Sequence, residues 1–327
     1  MAQWMDDTPE SEGLLRESTR MEKRKMLRDY ANFAGLFMLV LVISFQLVPN
    51  VMWALFAQVT PYGNTVFMLV YGLVYAVTMG LPLLLLLGKR RFNPLTPTQR
   101  VHPGVGFLGC VGAVGVCMLA NVITSFILAF FSTFGVEAAP PPRVMVDTPI
   151  SFALNLVVMA VLPALLEELV FRGCLLRLLR VYGDGTAVVV SAVLFGLMHG
   201  NLRQVPFAII VGLVLGWLYV VTENIWMPIL VHFLNNAIAV TTEYLSFSLT
   251  EEEASWMSVT LIFRLVAVGV VAVALLLLFY RHRLKLKKSD SGLSSWDRIR
   301  SLASSWTLMG STALFILLLL MEMFLNG

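Results

Sequence analysis

Charge is scarce in this sequence: Asp, Glu, Lys and Arg make up 13% of the 327 residues, half of the ~25% typical of soluble domains. Cysteine and histidine are scarce as well, with three and four residues, whereas 58% of the chain is hydrophobic. This composition excludes an ordinary soluble domain, and we expect no nucleic-acid partner. Cys110, Cys117 and Cys174 all lie in apolar runs, so neither disulfides nor a zinc knuckle is predicted.

Apolar runs of about 20 residues, the length needed to cross a bilayer, recur along most of the chain. They predict an all-α polytopic membrane protein with about nine transmembrane helices, or eight, in contact with the lipid bilayer. The predicted spans are 31–57, 63–88, 105–131, 150–181, 187–200, 205–221, 226–242, 258–280 and 305–325.

The basic residues predict an orientation for these spans. If the N-terminus is inside and the spans alternate, the inside segments 1–30, 89–104, 172–186, 222–225 and 281–304 contain 20 of the 23 Lys and Arg residues. Lys and Arg concentrate in short cytoplasmic loops, so we expect a cytoplasmic N-terminus. The same bias, together with the absence of a retention signal, favours the plasma membrane of a bacterium.

The chain divides into four predicted regions. Residues 1–30 form a cytoplasmic tail, for which an amphipathic surface helix is the alternative, and 31–149 form the N-terminal transmembrane helices. Residues 150–245 form a helical core, and 246–327 form the C-terminal transmembrane helices with the basic loop 281–304. The fifth span is too short to cross a bilayer unaided, which favours a helix that ends inside the protein.

Three charged residues interrupt the fourth span, in "LLEELVFRG" at 165–173. Glu168 and Arg172 are four residues apart, on one helix face and in the favourable acid-before-base order, so Arg172 is expected to neutralise Glu168. Glu167 points about 100° away around the helix and is left to face something else. Each ionised side chain at mid-bilayer costs roughly 3 kcal/mol even on a lenient scale, which disfavours a purely structural role for all three.

Two further polar pairs lie in later spans, each with helical i, i+4 spacing. They are Phe195 with His199 in "FGLMH" and His232 with Asn236 in "HFLNN". A lone His or Asn in a membrane bundle more often joins helices by hydrogen bonds. Counted from the predicted cytoplasmic ends at about 1.5 Å per residue, however, His199 and Asn236 lie at a depth similar to Glu167. We therefore predict one catalytic or transport site, in a cavity open toward the cytoplasm.

Three reactions suit these residues. In the first, Glu167 with His199 activates water for attack on an amide, while His232 and Asn236 stabilise the oxyanion. In the second, Glu167, His199 and His232 bind Zn²⁺. The usual H-E-x-x-H signature is absent, so we expect no metal or other cofactor. In the third, Cys174 is a nucleophile, but it lies roughly 10 Å closer to the cytoplasm than Glu167, which disfavours it.

The three motifs resemble those of the CPBP family, the type II CAAX prenyl proteases and bacteriocin-processing enzymes. The family motifs are E-E-x-x-x-R, F-x-x-x-H and H-x-x-x-N/D, in that order on successive spans. Here they stand without substitution, and the resemblance covers about residues 150–240. The motif residues, which the resemblance implies are catalytic, are Glu167, Glu168 and Arg172, then His199 after Phe195, then His232 and Asn236.

The resemblance implies a metal-independent, glutamate-dependent intramembrane endopeptidase that acts on a membrane protein or a lipidated peptide. Glu167 and His199 would activate water, and His232 with Asn236 would hold the oxyanion. The substrate itself, a prenylated CAAX-type protein or another peptide precursor, does not carry over. The alternative is a non-enzymatic immunity or scaffold protein, or a proton-coupled carrier.

Overall fold

The computed structural model describes residues 9–56, 64–89, 93–136, 148–289 and 291–325. These residues are almost entirely helical and form no strand. Ten helices are present among them. In chain order they are α1 (Pro9–Phe56), α2 (Asn64–Lys89), α3 (Pro103–Ser132), α4 (Pro149–Tyr182), α5 (Asp184–Met198), α6 (Val205–Thr222), α7 (Trp226–Ser246), α8 (Glu251–Tyr280), α9 (Ser295–Ala303) and α10 (Trp306–Leu325).

The all-α polytopic membrane architecture is confirmed, since each predicted span coincides with a helix. In the described part of the chain, α1, α2, α3, α4, α6 and α8 are long and apolar enough to cross a membrane. A seventh span results if α9 and α10, bent by 68°, count as one. The shorter α5 has 15 residues, and α7 carries the polar residues of "HFLNN". The count of nine spans therefore stays a prediction.

The described N-terminal residues, 9–30, are helical. α1 begins at Pro9 and continues into the first predicted span without a break. Leu27 is fully buried, and Tyr182 at the end of α4 donates its hydroxyl hydrogen to the Leu27 carbonyl. The part of α1 around Leu27 is thus packed against the core of the protein.

The loops that follow α4, α6 and α8 are joined by ion pairs. Arg180 pairs with Glu223 over 2.7 Å. The backbone N–H of Lys287 donates to the Asp184 carboxylate over 2.8 Å, and the backbone N–H of Asp184 donates to the Lys287 carbonyl over 3.0 Å. Burial raises the pKa of Glu223, but the hydrogen bonds from Arg180 and Lys287 outweigh it and hold that pKa below its ordinary value. Glu223 therefore stays ionised and ties these loops together.

The remaining predicted inside segments reach the same end of the bundle. Arg177 donates to the carbonyl of Asn93 over 3.0 Å, and Arg20 on α1 pairs with Asp297 on α9 over 2.6 Å. Contacts therefore gather all five predicted inside segments on one side, as the charge count requires. We call this side the basic face; its described segments are 17–30, 93–104, 177–186, 222–225 and 281–304.

Glycines allow close contacts between neighbouring helices. A Cβ added at Gly115 of α3 would lie 2.5 Å from the Cα of Gly269 on α8. Such a distance leaves no room for a side chain on either helix. Small residues at membrane-helix interfaces let backbones approach and gain van der Waals contact, so this pair fixes α8 against α3.

Candidate active site

A buried ion pair lies at the centre of α4. Glu168 and Arg172 are both fully buried, and Nη1 of Arg172 donates to Oε1 of Glu168 over 2.7 Å, as the spacing predicted. Arg172 also donates to the Gly212 carbonyl on α6 over 3.1 Å and lies 4.6 Å from the ring centroid of Phe195 on α5. The guanidinium therefore links three helices.

The contact between Arg172 and α6 depends on close approach of α5 and α6. A Cβ added at Gly212 would lie 3.0 Å from the Cα of Ala192, and one added at Gly196 would lie 2.3 Å from a side-chain carbon of Ile209. Both glycines thus let the two backbones meet. This close packing of α5 on α6 keeps Phe195 of "FGLMH" next to Arg172.

His232 on α7 lies between the two adjacent carboxylates. Its Nδ1 is 2.8 Å from Oε1 of Glu168, and its Nε2 is 3.8 Å from Oε2 of Glu167. An ionised carboxylate only accepts hydrogen bonds, so we assign a hydrogen to Nδ1, which donates to Glu168. This bond orients the ring so that Nε2 faces Glu167.

Glu167 does not join the Glu168–Arg172 ion pair, as expected, and instead contacts α2. The hydroxyl of Tyr75 donates a hydrogen bond to its Oε1. Its Oε2 is buried and has no hydrogen-bond partner among the described residues. Glu167 thus has one oxygen held by Tyr75 and a second oxygen available to accept from a water or a substrate.

His199 follows the last residue of α5, where the helix ends inside the protein as predicted. Its Nδ1 is 2.9 Å from the carbonyl of Phe195, which can only accept, so Nδ1 carries the hydrogen and Nε2 is an acceptor. Gly200 has a φ of +66°, a conformation that glycine adopts without strain and that ends the helix here. In this tautomer, Nε2 of His199 can accept a hydrogen bond from a water molecule or a substrate.

Asn236 is placed by a proline of α4. Pro163 has no N–H, so the carbonyl four residues earlier, that of Met159, lacks its helical partner. Asn236 Nδ2 donates to this carbonyl over 3.1 Å, and an amide has a second hydrogen to offer elsewhere. The backbone around Met159 is a π-helical turn over Leu156–Val161, as is common where a helical ladder is interrupted.

The polar residues open onto one cavity of about 500 Å³. Glu167, His199, His232 and Asn236 all line it, so the structure brings together residues of three predicted spans. Glu168 and Arg172 do not line it; they lie behind its wall, where they touch His232 and the α6 backbone. Four of the six residues predicted to be catalytic therefore reach the cavity, and the roles of all six stay predictions. The other residues that line it include Tyr71, Tyr75, Asn155, Gln204, Asn235 and Glu243.

Sequence reasoning missed Tyr75, because the sequence of α2 does not show which helix α2 packs against. A signal was present, because Tyr71 and Tyr75 stand four residues apart in an otherwise apolar run. It also missed Asn235, which donates to Oδ1 of Asn236 over 3.0 Å. Cys174 is buried and is not among the cavity-lining residues, so the structure offers it no nucleophilic role.

The three residues weighed as zinc ligands line one cavity, but the structure does not group them as a metal site. In the described ranges, no three His, Cys, Asp or Glu side chains are grouped so that they could hold a metal ion. The three proposed ligands, Glu167, His199 and His232, line the cavity without forming such a group. We derive no step through a metal for this chain.

The comparisons with known proteins address the same region. Residues 149–238, which contain every residue of the three motifs, match the profile of the family described as "Type II CAAX prenyl endopeptidase Rce1-like". This part of the chain is similar to the Rce1-like family. The match confirms the resemblance read from the motifs. The Rce1-like segment runs from the start of α4 into α7, so it supplies the whole motif set.

One curated relative extends beyond the Rce1-like segment. The chain is 24% identical over 146 residues to "Putative membrane peptidase YdiL" of Bacillus subtilis (strain 168). The aligned region covers 43% of this chain and 58% of the relative. No solved structure matches the chain.

Proposed function

We propose that this protein is an intramembrane endopeptidase of the plasma membrane, which hydrolyses a peptide bond of a membrane-associated substrate without a metal ion. The observation that carries the proposal is the single cavity lined by Glu167, His199, His232 and Asn236. The Rce1-like match of residues 149–238 and the similarity to a protein named as a membrane peptidase support it.

The geometry suggests a role for each group. Glu167, whose Oε2 has no hydrogen-bond partner among the described residues, accepts a proton from water, and His199 with its acceptor Nε2 assists. The resulting hydroxide attacks the carbonyl carbon of the scissile bond. The second hydrogen of the Asn236 amide and Nε2 of His232, when that nitrogen is protonated, donate to the oxyanion. The proton taken from water then passes to the leaving amine, which balances the hydrolysis.

Glu168 and Arg172 act through His232 rather than on the substrate. Oε1 of Glu168 accepts a hydrogen bond from Arg172 and another from His232. A buried carboxylate with only one of the two partners would be stranded in the membrane interior at high cost. Arg172 thus pairs with the carboxylate of Glu168, and Glu168 keeps His232 oriented.

The test is a comparison of membrane-protein termini in cells that carry either the wild-type protein or Glu167→Gln. We expect new termini with the wild type that vanish with Glu167→Gln. Glu252→Gln is the matched control, because Glu252 is exposed in the first turn of α8 and is not among the residues that line the cavity; the termini in these cells should match the wild type. Identical termini in all cells would reject peptidase activity. A carrier would then be favoured if Asn236→Ala also left function intact.

A further inference from the structure

The cavity has a buried end and an exposed end. Glu167 and His232, at one end, are each 5% exposed. Gln204 and Glu243, at the other end, are exposed residues. A peptide that reaches Glu167 therefore enters past Gln204 and Glu243.

The helix directions place this exposed end far from the basic face. α4, α5 and α7 each have one end in that face, at Tyr182, Asp184 and Trp226. Along α7, His232 lies six residues from Trp226 and Glu243 lies 17, or about 9 and 26 Å at the rise of an α-helix. The exposed end of the cavity thus lies away from the basic face.

The other cavity residues agree with this direction. Gln204 directly precedes α6, at the end opposite to its basic-face end at Thr222. Asn155 lies in the first turns of α4, close to Pro149 and 27 residues before Tyr182. Tyr71 lies in the first half of α2, whose other end leads to the basic face. All three line the cavity.

The charge of the two sides differs sharply. The segments of the basic face hold most of the Lys and Arg of the chain, and such segments stay in the cytoplasm. No Lys or Arg is among the described residues that line the cavity, whereas the carboxylates of Glu167 and Glu243 are. The rule for orientation therefore puts the mouth of the cavity at the outer leaflet.

We propose that the cavity takes its substrate from the non-cytoplasmic side, so that the substrates are membrane-anchored peptides exposed at the outer leaflet. The sequence alone favoured the opposite direction. Because acidic groups line the cavity, a peptide segment that is neutral or basic around the scissile bond suits it better than an acidic one. The substrate class rests on the proposed function, whereas the direction of access does not.

The experiment uses the full chain with its three cysteines replaced and one new cysteine at a time. Gln204→Cys and Glu243→Cys report on the mouth, and Lys285→Cys, exposed on the basic face, is the matched control. Intact cells are treated with a membrane-impermeant maleimide, before or after permeabilisation. We expect full labelling of Gln204→Cys and Glu243→Cys in intact cells, and labelling of Lys285→Cys only after permeabilisation.

The reverse pattern, with Lys285→Cys labelled in intact cells and both mouth positions protected, would overturn the proposal. The termini that disappear with Glu167→Gln test the substrate class separately, since they should lie on the outer side of their proteins. Termini on the cytoplasmic side would also overturn it. If labelling is from outside and no termini change, the direction of access stands and the peptidase function fails.

Discussion

The Nδ1 atom of His232 lies 2.8 Å from Oε1 of Glu168, although 64 residues separate the two in the chain. This contact joins α7 to the buried pair of α4. Glu167 lines the cavity, whereas Glu168 contacts His232 and does not line it. The two glutamates of the motif therefore have different tasks, which separate substitutions can distinguish.

Glu168→Gln should reduce kcat about 10- to 100-fold, since the hydrogen bonds of a charged acceptor are worth ~1.5–3 kcal/mol and those of a neutral one less. KM should change little, because Glu168 does not line the cavity. The pH–rate profile should shift, since the charge beside His232 is removed. Kinetics on the substrate found by terminus mapping would measure both. An unchanged pH profile together with a low kcat would indicate a merely structural role.

Tyr75→Phe removes the hydroxyl that donates to Glu167 and should lower kcat about 10-fold, the loss expected for one hydrogen bond to a charged group. The cavity volume changes little, so substrate binding should be preserved. Tyr71→Phe is the matched control, because Tyr71 lines the same cavity one helical turn away. An equal loss of activity in both variants would argue against a specific role for the Tyr75 hydroxyl.

Arg172→Met should destabilise the protein by about 3–5 kcal/mol, because it leaves the Glu168 carboxylate buried without its partner. Thermal denaturation of the purified protein in detergent measures this loss. The double variant Glu168→Leu with Arg172→Met should recover most of the stability, since buried pairs are often replaced by apolar residues at no cost. It should still lack activity, because His232 would have lost its orienting partner. A double variant as unstable as Arg172→Met would contradict this account.

Pro163→Ala restores an N–H that competes with Asn236 for the carbonyl of Met159. Stability should hold or rise, whereas kcat should fall because the Asn236 amide is no longer placed by α4. Pro82→Ala is the matched control: Pro82 lies inside α2 and frees the Thr78 carbonyl, which accepts from Ser44 over 2.9 Å, outside the cavity. Equal effects on kcat would contradict a specific role for Pro163.

Chelators should leave the activity intact, since no metal takes part in the proposed reaction. EDTA and 1,10-phenanthroline, applied to purified protein with the mapped substrate, would measure this together with the zinc content of the sample. Loss of activity that added Zn²⁺ restores would overturn the metal-independent mechanism. Activity lost without recovery on zinc addition would point to an effect of the chelator on the protein.

The sequence predicted the local parts of the site and missed those that depend on packing. The pairing of Glu168 with Arg172 follows from four-residue spacing, and the short fifth span correctly indicated a helix that ends at His199. The contacts of Tyr75 with Glu167 and of His232 with Glu168 join distant helices, which no spacing rule reports. Depth alone favoured a cavity open toward the cytoplasm, but depth does not tell which side of a polar residue is open, and the opposite direction proposed above rests on the helix ends that line the mouth.

The two π-helical turns of α4, over Leu156–Val161 and Leu169–Leu176, affect how this site can be recognised in related sequences. A π turn holds one residue more than an α turn would, so the face presented by Glu167 depends on how many residues precede it. A relative that lost a single residue between Pro149 and Glu167 would keep every motif letter and yet turn its glutamates to another face. Descent of this activity should therefore be traced through insertions and deletions in α4, not through the motif letters alone.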